Sequence, residues 1–583
     1  MTPVDLNPAA TRSQKVAYFS MEIALDPRIP TYSGGLGVLA GDTLRSMADL
    51  NLPVVAVSLA HRRGYFRQHL DAVGTQTESD VPWQPENMLP AAEHEAIITI
   101  QGRQVTIRAW RFDVIGVTGH IVPVYLLDTD VEGNNEYDRT LTDHLYGGDS
   151  HYRLCQEAVL GIGGGHLLSV LGYRPTVFHM NEGHASLLTL GLLEDRLPTG
   201  APLTSAKPED LDWVRRHCVF TTHTPVPAGH DQFGVDQMYE ILGEERSRAL
   251  EAFGCMHKGL LNMTYIALRF SRYVNGVAMQ HGKVSQQMFP EYEIHSITNG
   301  VHAATWLSPE MQKLLDQNIP NWREDNRFFR SVTGIEPAQI AEAHLGAKHR
   351  LFEAVASRTG ISLRSDVLTL GFARRVATYK RANLLFHDPE RLANIARAAG
   401  GLQILYAGKA HPADEGGKQL IRNVVEMAHR LSNGTLQILF LENYDWELGK
   451  LLTNGVDVWV NTPKRPYEAS GTSGMKAALN GVPSLSILDG WWIEGCVEGG
   501  TGWAIDDCED EAGEADSLYE KLRHAIVPAF QKPAVWNRLM QQTIAINATF
   551  FNTHRMAAQY VENAYFPEQT VAQEAEVPVT QLY

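Results

Sequence analysis

Residues 367–385 read VLTLGFARRVATYKRANLL. The first seven are apolar or β-forming and suit one buried strand. The cations Arg374, Arg375, Lys380 and Arg381 follow at once, and a helical pattern runs over 381–398. Strand, charged turn and helix form the repeating unit of a parallel α/β sheet. Working outward, the rhythm recurs. LQILYAGK (402–409), LQILFLEN (436–443), DVWVNTP (457–463) and PSLSIL (483–488) read as further strands of the second half. KVAYFS (15–20), PVVAVSLA (53–60), HIVPVYLLD (120–128), TVFHMN (176–181) and CVFTTHT (218–224) read as strands of the first. Helices are expected at 41–51 and 150–172. Each half therefore predicts a doubly wound α/β domain, and such sheets bind ligands beyond the carboxyl ends of their strands.

The break should fall within 307–363, after SITNGVHAATW (296–306). The expected division is 1–330, 331–545, and a terminal part, 546–583, made of a helix end and a loose tail. An amphipathic helix carrying Trp536, Leu539, Met540, Ile544, Phe550 and Phe551 precedes that tail. At 583 residues the chain is too long for one core. A 44% apolar fraction and a 20% charged fraction suit a globular enzyme. The net charge of −17 argues against nucleic acid or an anionic membrane as a partner. Five scattered cysteines without a CxxC pair suggest a reducing compartment. The opening MTPVDLNPAATRSQ has no apolar core of a signal peptide, so a cytoplasmic location is expected.

Some motifs mislead. DTDVEGNNEYDR (128–139) opens like a calcium loop, but Arg139 stands where a bidentate acid is required. GIGGGH (161–166) resembles a dinucleotide fingerprint, yet it ends in His166 and no strand leads into it; close helix packing explains it better. DDCEDEAGEAD (506–516) reads as a solvated acidic loop. No HExxH occurs, and no metal site is expected.

The chemistry-bearing candidates cluster after strands. TYSGGLGVLAGDTL (31–44) places Gly34, Gly35 and Gly37 ahead of a helix, where backbone amides can hold an anion. The 374–381 cations could grip phosphate, arginine by a bidentate fork and lysine as a point charge. TTHTPVPAGHDQF (221–233) presents His223, and FHMNEGHASL (178–187) presents Glu182 and His184. YEASGTSGMKAALNGVPSLSIL (467–488) sets the lone Lys476 among glycines and hydroxyls.

Together these segments resemble the α-glucan phosphorylase family, the glycogen, starch and maltodextrin phosphorylases, in its compact bacterial-type branch. EASGTSGMKAALNG resembles the family's pyridoxal phosphate lysine segment, EASGTGNMK, and RRVATYKR resembles its phosphate segment, KRIHEYKR. SGGLG, THT, TNGVHAATW and LENYDW also match, over about 16–551. The resemblance implies two Rossmann-like domains facing a central cleft, the GT-B glycosyltransferase architecture. It also implies phosphorolysis of α-1,4-glucan or maltodextrin by inorganic phosphate, with retention, to α-D-glucose 1-phosphate. A homo-oligomer is compatible with it. The long N-terminal extension bearing phosphorylation and nucleotide-effector sites is not seen, so control by those routes is not expected.

Residue by residue, the resemblance assigns Lys476 to pyridoxal 5′-phosphate. Gly34, Gly35, Trp306, Arg374, Tyr444, Thr472 and Ser473 match the cofactor pocket and its covering loop. Arg375 and Lys380 match the phosphate-binding residues. Asn299, Ser470, Gly471, Glu182 and His184 match the sugar site, with His223 and Glu468 beside the reacting glucose. Ala377 and Thr378 replace the usual His-Glu, and Asp445 replaces an arginine near the cofactor phosphate. In this family the cofactor takes part through its phosphate. Two contacting anions repel by about 4 kcal/mol per unit-charge pair at 4 Å and an effective dielectric near 20. They therefore retain and share a proton that can move to the glycosidic oxygen. The alternative reading, a nucleotide-sugar glucosyltransferase like glycogen synthase, shares the fold and the glycine loop but does not need Lys476. A silent glucan-binding protein would not need the phosphate cations.

Overall fold

The structure is a computed structural model and describes residues 15–226 and 229–567. The opening segment 1–14, and the expected tail beyond Pro567, lie outside the described residues. The second half builds a six-stranded sheet, wholly parallel. Its order is Leu436–Leu441, Leu402–Ala407, Leu368–Ala373, Val458–Asn461, Ser484–Ile487, Gly502–Ile505. Numbered along the chain this is 3-2-1-4-5-6, the doubly wound order whose direction reverses between the first and fourth strands. Period-two alternation sets the two faces. Leu368, Leu370 and Phe372 join one core, with Ile404 and Ile438, while Ala373, Leu405, Leu439 and Trp459 join the other. A one-residue slip would exchange the two sets, so the register is strongly specified.

The first half builds a nine-stranded sheet. Its centre pairs Val16–Ser20 in parallel with Val54–Leu59 on one side and Val177–Asn181 on the other. The chain again reverses direction at this point, between the strands Val16–Ser20 and Val177–Asn181. Cys218–Thr221, Tyr273–Gly276 and His295–Ser296 extend one edge in parallel. At the other edge the expectation of a purely parallel sheet fails, because Arg103–Ile115 pairs antiparallel with both Ile121–Asp128 and Ala96–Ile100. The near-continuous apolar runs VAYFS and VVAVSL are buried throughout, as suits strands covered on both faces.

The GIGGGH glycines do serve packing. A Cβ on Gly161 would lie 2.5 Å from Leu188 N, and one on Gly163 would lie 2.4 Å from Ile107 Cδ1. The 128–139 loop is an ion-paired turn: Asp128 meets Arg62 at 2.7 Å, and Asp130 meets Arg139 at 2.6 Å. Three expectations need correction. The 506–516 stretch is not a solvated loop; Asp510 caps the helix Glu511–Lys521, and buried Glu514 pairs with Arg381. The helix expected from 381 begins only at Pro389, capped by Asp388, because Arg381 sits at φ 47° in the left-handed region. Phe550 is 43% exposed, whereas Trp536, Leu539, Met540, Ile544 and Phe551 are buried as expected.

The last described helix, Thr553–Tyr560, continues through Val561–Tyr565 and returns to the first sheet. Met556, Ala557, Tyr560, Ala564 and Tyr565 join the core beneath Val16, Tyr18 and Val54. Polar contacts fasten this helix. Tyr565 Oη lies 2.7 Å from His179 Nδ1, and Tyr560 Oη lies 3.0 Å from Thr221 Oγ1. Asp49 Oδ2 lies 2.9 Å from His302 Nε2 and 3.2 Å from His554 Nε2. The two halves also touch through the hairpin Arg67–Leu70/Gln76–Ser79. Gln68 exchanges hydrogen bonds with Asn443, and Gln76 exchanges them with Ala410.

Candidate active site

Segments that follow the parallel strands of both sheets supply the candidate residues. After Leu368–Ala373 come Arg374, Arg375 and Lys380; after Val458–Asn461 comes Glu468. Arg374 bonds Asn461 and also reaches Glu468 Oε2 at 2.5 Å. Lys380 Nζ donates to Glu468 Oε1 at 2.9 Å. Burial alone would raise the Glu468 carboxyl, but the two cations outweigh it and bring it down to about 2. Burial and the neighbouring Arg374 lower Lys380, with Glu468 opposing. Arg375 is exposed, and its guanidinium donates to Tyr379 Oη at 3.0 Å. Arg381, the last cation of the run, is structural, binding Glu514 and the carbonyls of Thr462 and Pro463.

Lys476 lies in the helix Thr472–Leu479, which starts at Gly471 in the left-handed region, φ 89°. A Cβ on Gly474 would fall 2.7 Å from the Trp491 ring, so this glycine permits close packing. The Lys476 ammonium is buried, with Nζ 3.8 Å from the centroid of the Trp306 ring. Burial lowers its amine to about 8, opposed by Asp42. Asp42 accepts from Trp306 Nε1 at 2.7 Å. Thr472 and Ser473 form the helix's N-terminal turn, where no side chain caps the amides, and Ser473 Oγ accepts from Trp459 Nε1. Tyr444 packs beside Leu448 and Leu452, its phenol raised to about 12 by burial. Asp445 caps the helix Trp446–Gly455 by accepting from Leu448 N at 2.8 Å, which explains an acid where the family has arginine.

On the first sheet's side, Glu182 sits at φ 73°, ψ 165°, a region a non-glycine residue occupies only under constraint. Its carboxylate accepts from His223 N at 2.8 Å, Thr224 Oγ1 at 2.9 Å and Gly183 N at 3.0 Å. His223 Nε2 lies 2.7 Å from Asn181 Oδ1, an acceptor, so Nε2 carries the hydrogen and Nδ1 the lone pair. Burial pushes His223 down to about 4, opposed by Glu182. His184 Nε2 lies 3.3 Å from Asp231 Oδ2. Its Nδ1, together with Asn299 Oδ1 and Ser470 Oγ, is buried without a hydrogen-bond partner. Gly34 and Gly35 border open space: a Cβ on either would meet nothing within 4 Å.

The two groups are bridged by aromatic rings. Tyr65 lies 6.5 Å from Tyr146, and Tyr146 lies 5.8 Å from His184, with Arg375 electrostatically close to Tyr65. Sequence reasoning missed Glu22, Asp42, Tyr146, Asn181, Asp231 and Asn461. Glu22, Asn181 and Asn461 end or directly follow strands, a signal that could have flagged them. Asp42 is helical, and only packing reveals it. Among the described residues, Asp49, His302 and His554 converge as metal-capable side chains, at the junction of the final helix with Gly35–Asp49.

Residues 214–502 match the Phosphorylase family, described as carbohydrate phosphorylase. The chain is 39% identical to a maltodextrin phosphorylase of Thermococcus litoralis, over 95% of this chain and 70% of that protein. It is 38% identical to a glycogen phosphorylase of Mycobacterium tuberculosis, over 95% and 71%. A glycogen phosphorylase of Aquifex aeolicus is 33% identical, over 95% of this chain and 86% of its own length. The chain belongs to the carbohydrate phosphorylase family.

Proposed function

We propose that the protein is an α-glucan phosphorylase, which cleaves α-1,4-glucan with inorganic phosphate, with retention, and releases α-D-glucose 1-phosphate. Two observations carry this reading: Lys476 is buried against Trp306, and the Glu468 carboxylate is gripped by Arg374 and Lys380 after the second sheet's central strands. In this reading the two sheets are the cores of two Rossmann-like domains of the GT-B kind, spanning 1–330 and 331–545. The last described helix returns to the first.

The residues fit pyridoxal 5′-phosphate. A buried amine near 8 is partly neutral at working pH and so suits attachment to an aldehyde. Trp306 offers a flat apolar wall, and the uncapped turn at Thr472 offers amides to an anion. When bound, the group supplies a second phosphate whose acidity is shared with the substrate phosphate. The chain's own residues do the rest. Arg375 and Lys380 hold the substrate phosphate against that repulsion. As the cations turn toward it, Glu468 is released to accept from a sugar hydroxyl. His223, neutral above about pH 4, offers a lone pair rather than a charge to the glucose. His184 Nδ1, Asn299 and Ser470 take the remaining hydroxyls.

The deciding experiment incubates the purified protein with maltodextrin and inorganic phosphate and assays glucose 1-phosphate. Its absence, with glucan made instead from ADP-glucose, would favour the glycogen synthase-like alternative.

A further inference from the structure

The glycine loop needs something to hold it in shape. Gly34 and Gly35 face open space, and the helix Gly35–Asp49 starts without a side-chain cap or an acid in its first turn. A helix start leaves several amides without intrahelical acceptors, and these are the donors an anion would use. A glycine-rich turn is also conformationally loose, so such amides point at random unless anchored.

One buried carboxylate anchors them. Glu22 lies just beyond the strand Val16–Ser20 and is 2% exposed. Its Oε2 accepts from Ser33 N at 2.5 Å and from Gly34 N at 3.3 Å. Its Oε1 accepts from Ser33 Oγ at 3.2 Å and Tyr146 Oη at 3.0 Å. A Cβ on Gly37 would stand 2.7 Å from Oε2, so the helix start is pressed against the carboxylate itself. Thr31, just before the loop, is tied back to Ile23 through its amide carbonyl and its hydroxyl. Tyr32 crosses to the second half, accepting from Trp446 N at 3.0 Å. Glu22 thus binds the Ser33 and Gly34 amides, while the first amides of the helix beyond them have no side-chain cap. Through Tyr146 it also reaches Arg153, 4.5 Å over the tyrosine ring, and His184.

We infer that Glu22 is the positioning residue of the phosphate-covering loop, aiming its uncapped amides at the substrate phosphate without touching the substrate. The inference rests on the function proposed above. It is tested on the holoenzyme with Glu22→Ala and Glu22→Gln. Steady-state kinetics and direct calorimetry of inorganic phosphate binding are both measured, with melting temperature recorded. Losing two amide anchors should raise the phosphate KM and Kd about tenfold in Glu22→Ala. The KM for maltodextrin should stay near wild type, while the melting temperature falls modestly because buried donors lose their acceptor. Glu22→Gln keeps one acceptor oxygen and should recover most of the loss. A wild-type phosphate Kd in Glu22→Ala overturns the inference. So does tighter binding, which would mean that the carboxylate occupies the phosphate's own place, or equal losses in every kinetic parameter. If the wild-type protein makes no glucose 1-phosphate, the proposed function fails, and the phosphate calorimetry still decides the role of Glu22.

Discussion

The loops of the two sheets solve opposite problems. On the second sheet most of the functional groups are charged, and two of the cations are satisfied internally, Arg374 and Lys380 sharing Glu468. On the first sheet the groups are neutral or acceptors, and several, such as His184 Nδ1 and Asn299 Oδ1, are left unpartnered. Buried ions without counter-ions cost several kcal/mol each, while a single unsatisfied acceptor costs about 1–3 kcal/mol. The charged side therefore cannot wait open, whereas the neutral side can. In the function proposed above, most anion-binding groups lie on the second half, while the Gly34–Gly35 loop and Ser470 cross that division.

The strongest test removes the group on which the charged side depends. Lys476→Ala should lose the cofactor's absorbance and all phosphorolysis while keeping the melting temperature; full turnover by that variant would break the comparison at its base. Next, the two halves should fail differently. Arg375→Ala should raise the phosphate KM roughly ten- to a hundredfold, the worth of a charge-assisted hydrogen bond, with the maltodextrin KM nearly unchanged. His184→Ala should do the reverse. If both variants move the same constant, the division of labour is wrong.

Acid should weaken both halves. Glu468 is held at about 2, below the ordinary 4.5. The stability it contributes is present above 4.5 and is lost as pH falls toward 2, because the unfolded chain takes up the proton first. His223 is held at about 4 rather than 6.5, so the unfolded chain also binds its proton first, between 6.5 and 4. Melting temperature should therefore fall as pH drops through that window, and Glu468→Gln should flatten only the portion below 4.5. The smallest effect belongs to Asp445. Asp445→Ala should cost about 1 kcal/mol as a lost helix cap and leave the phosphate KM unchanged. A shift in that KM would place this carboxylate among the anion-handling groups.

Much of this was legible from the chain alone. VLTLGFA, LQILYAGK and LQILFLEN became neighbouring parallel strands, because a strand covered on both faces must be apolar along its whole length. Strand, glycine and cation order singled out Arg375 and Lys380, in the loop after one strand, and Lys476, on the helix after another, whereas Glu468 came only from the family resemblance. The antiparallel edge Ala96–Ile100/Arg103–Ile115 escaped notice because only continuous apolar runs were taken as strands, although its exposed and buried alternation is the mark of a half-buried strand. Arg381 read as one of a row of four cations, yet a left-handed backbone turns it inward to Glu514.

Local pattern thus determined most of the central strands, the parallel class of the second sheet and the candidate lysine, Lys476. Those follow from periodicity and motif, which neighbouring residues encode. Tertiary structure alone decided that Glu22 reaches eleven residues on to the Ser33 amide, that Asp42 meets Trp306, and that the last described helix closes on the first sheet. Such partners are chosen by how buried polar groups find one another in space, and sequence distance carries no record of that choice.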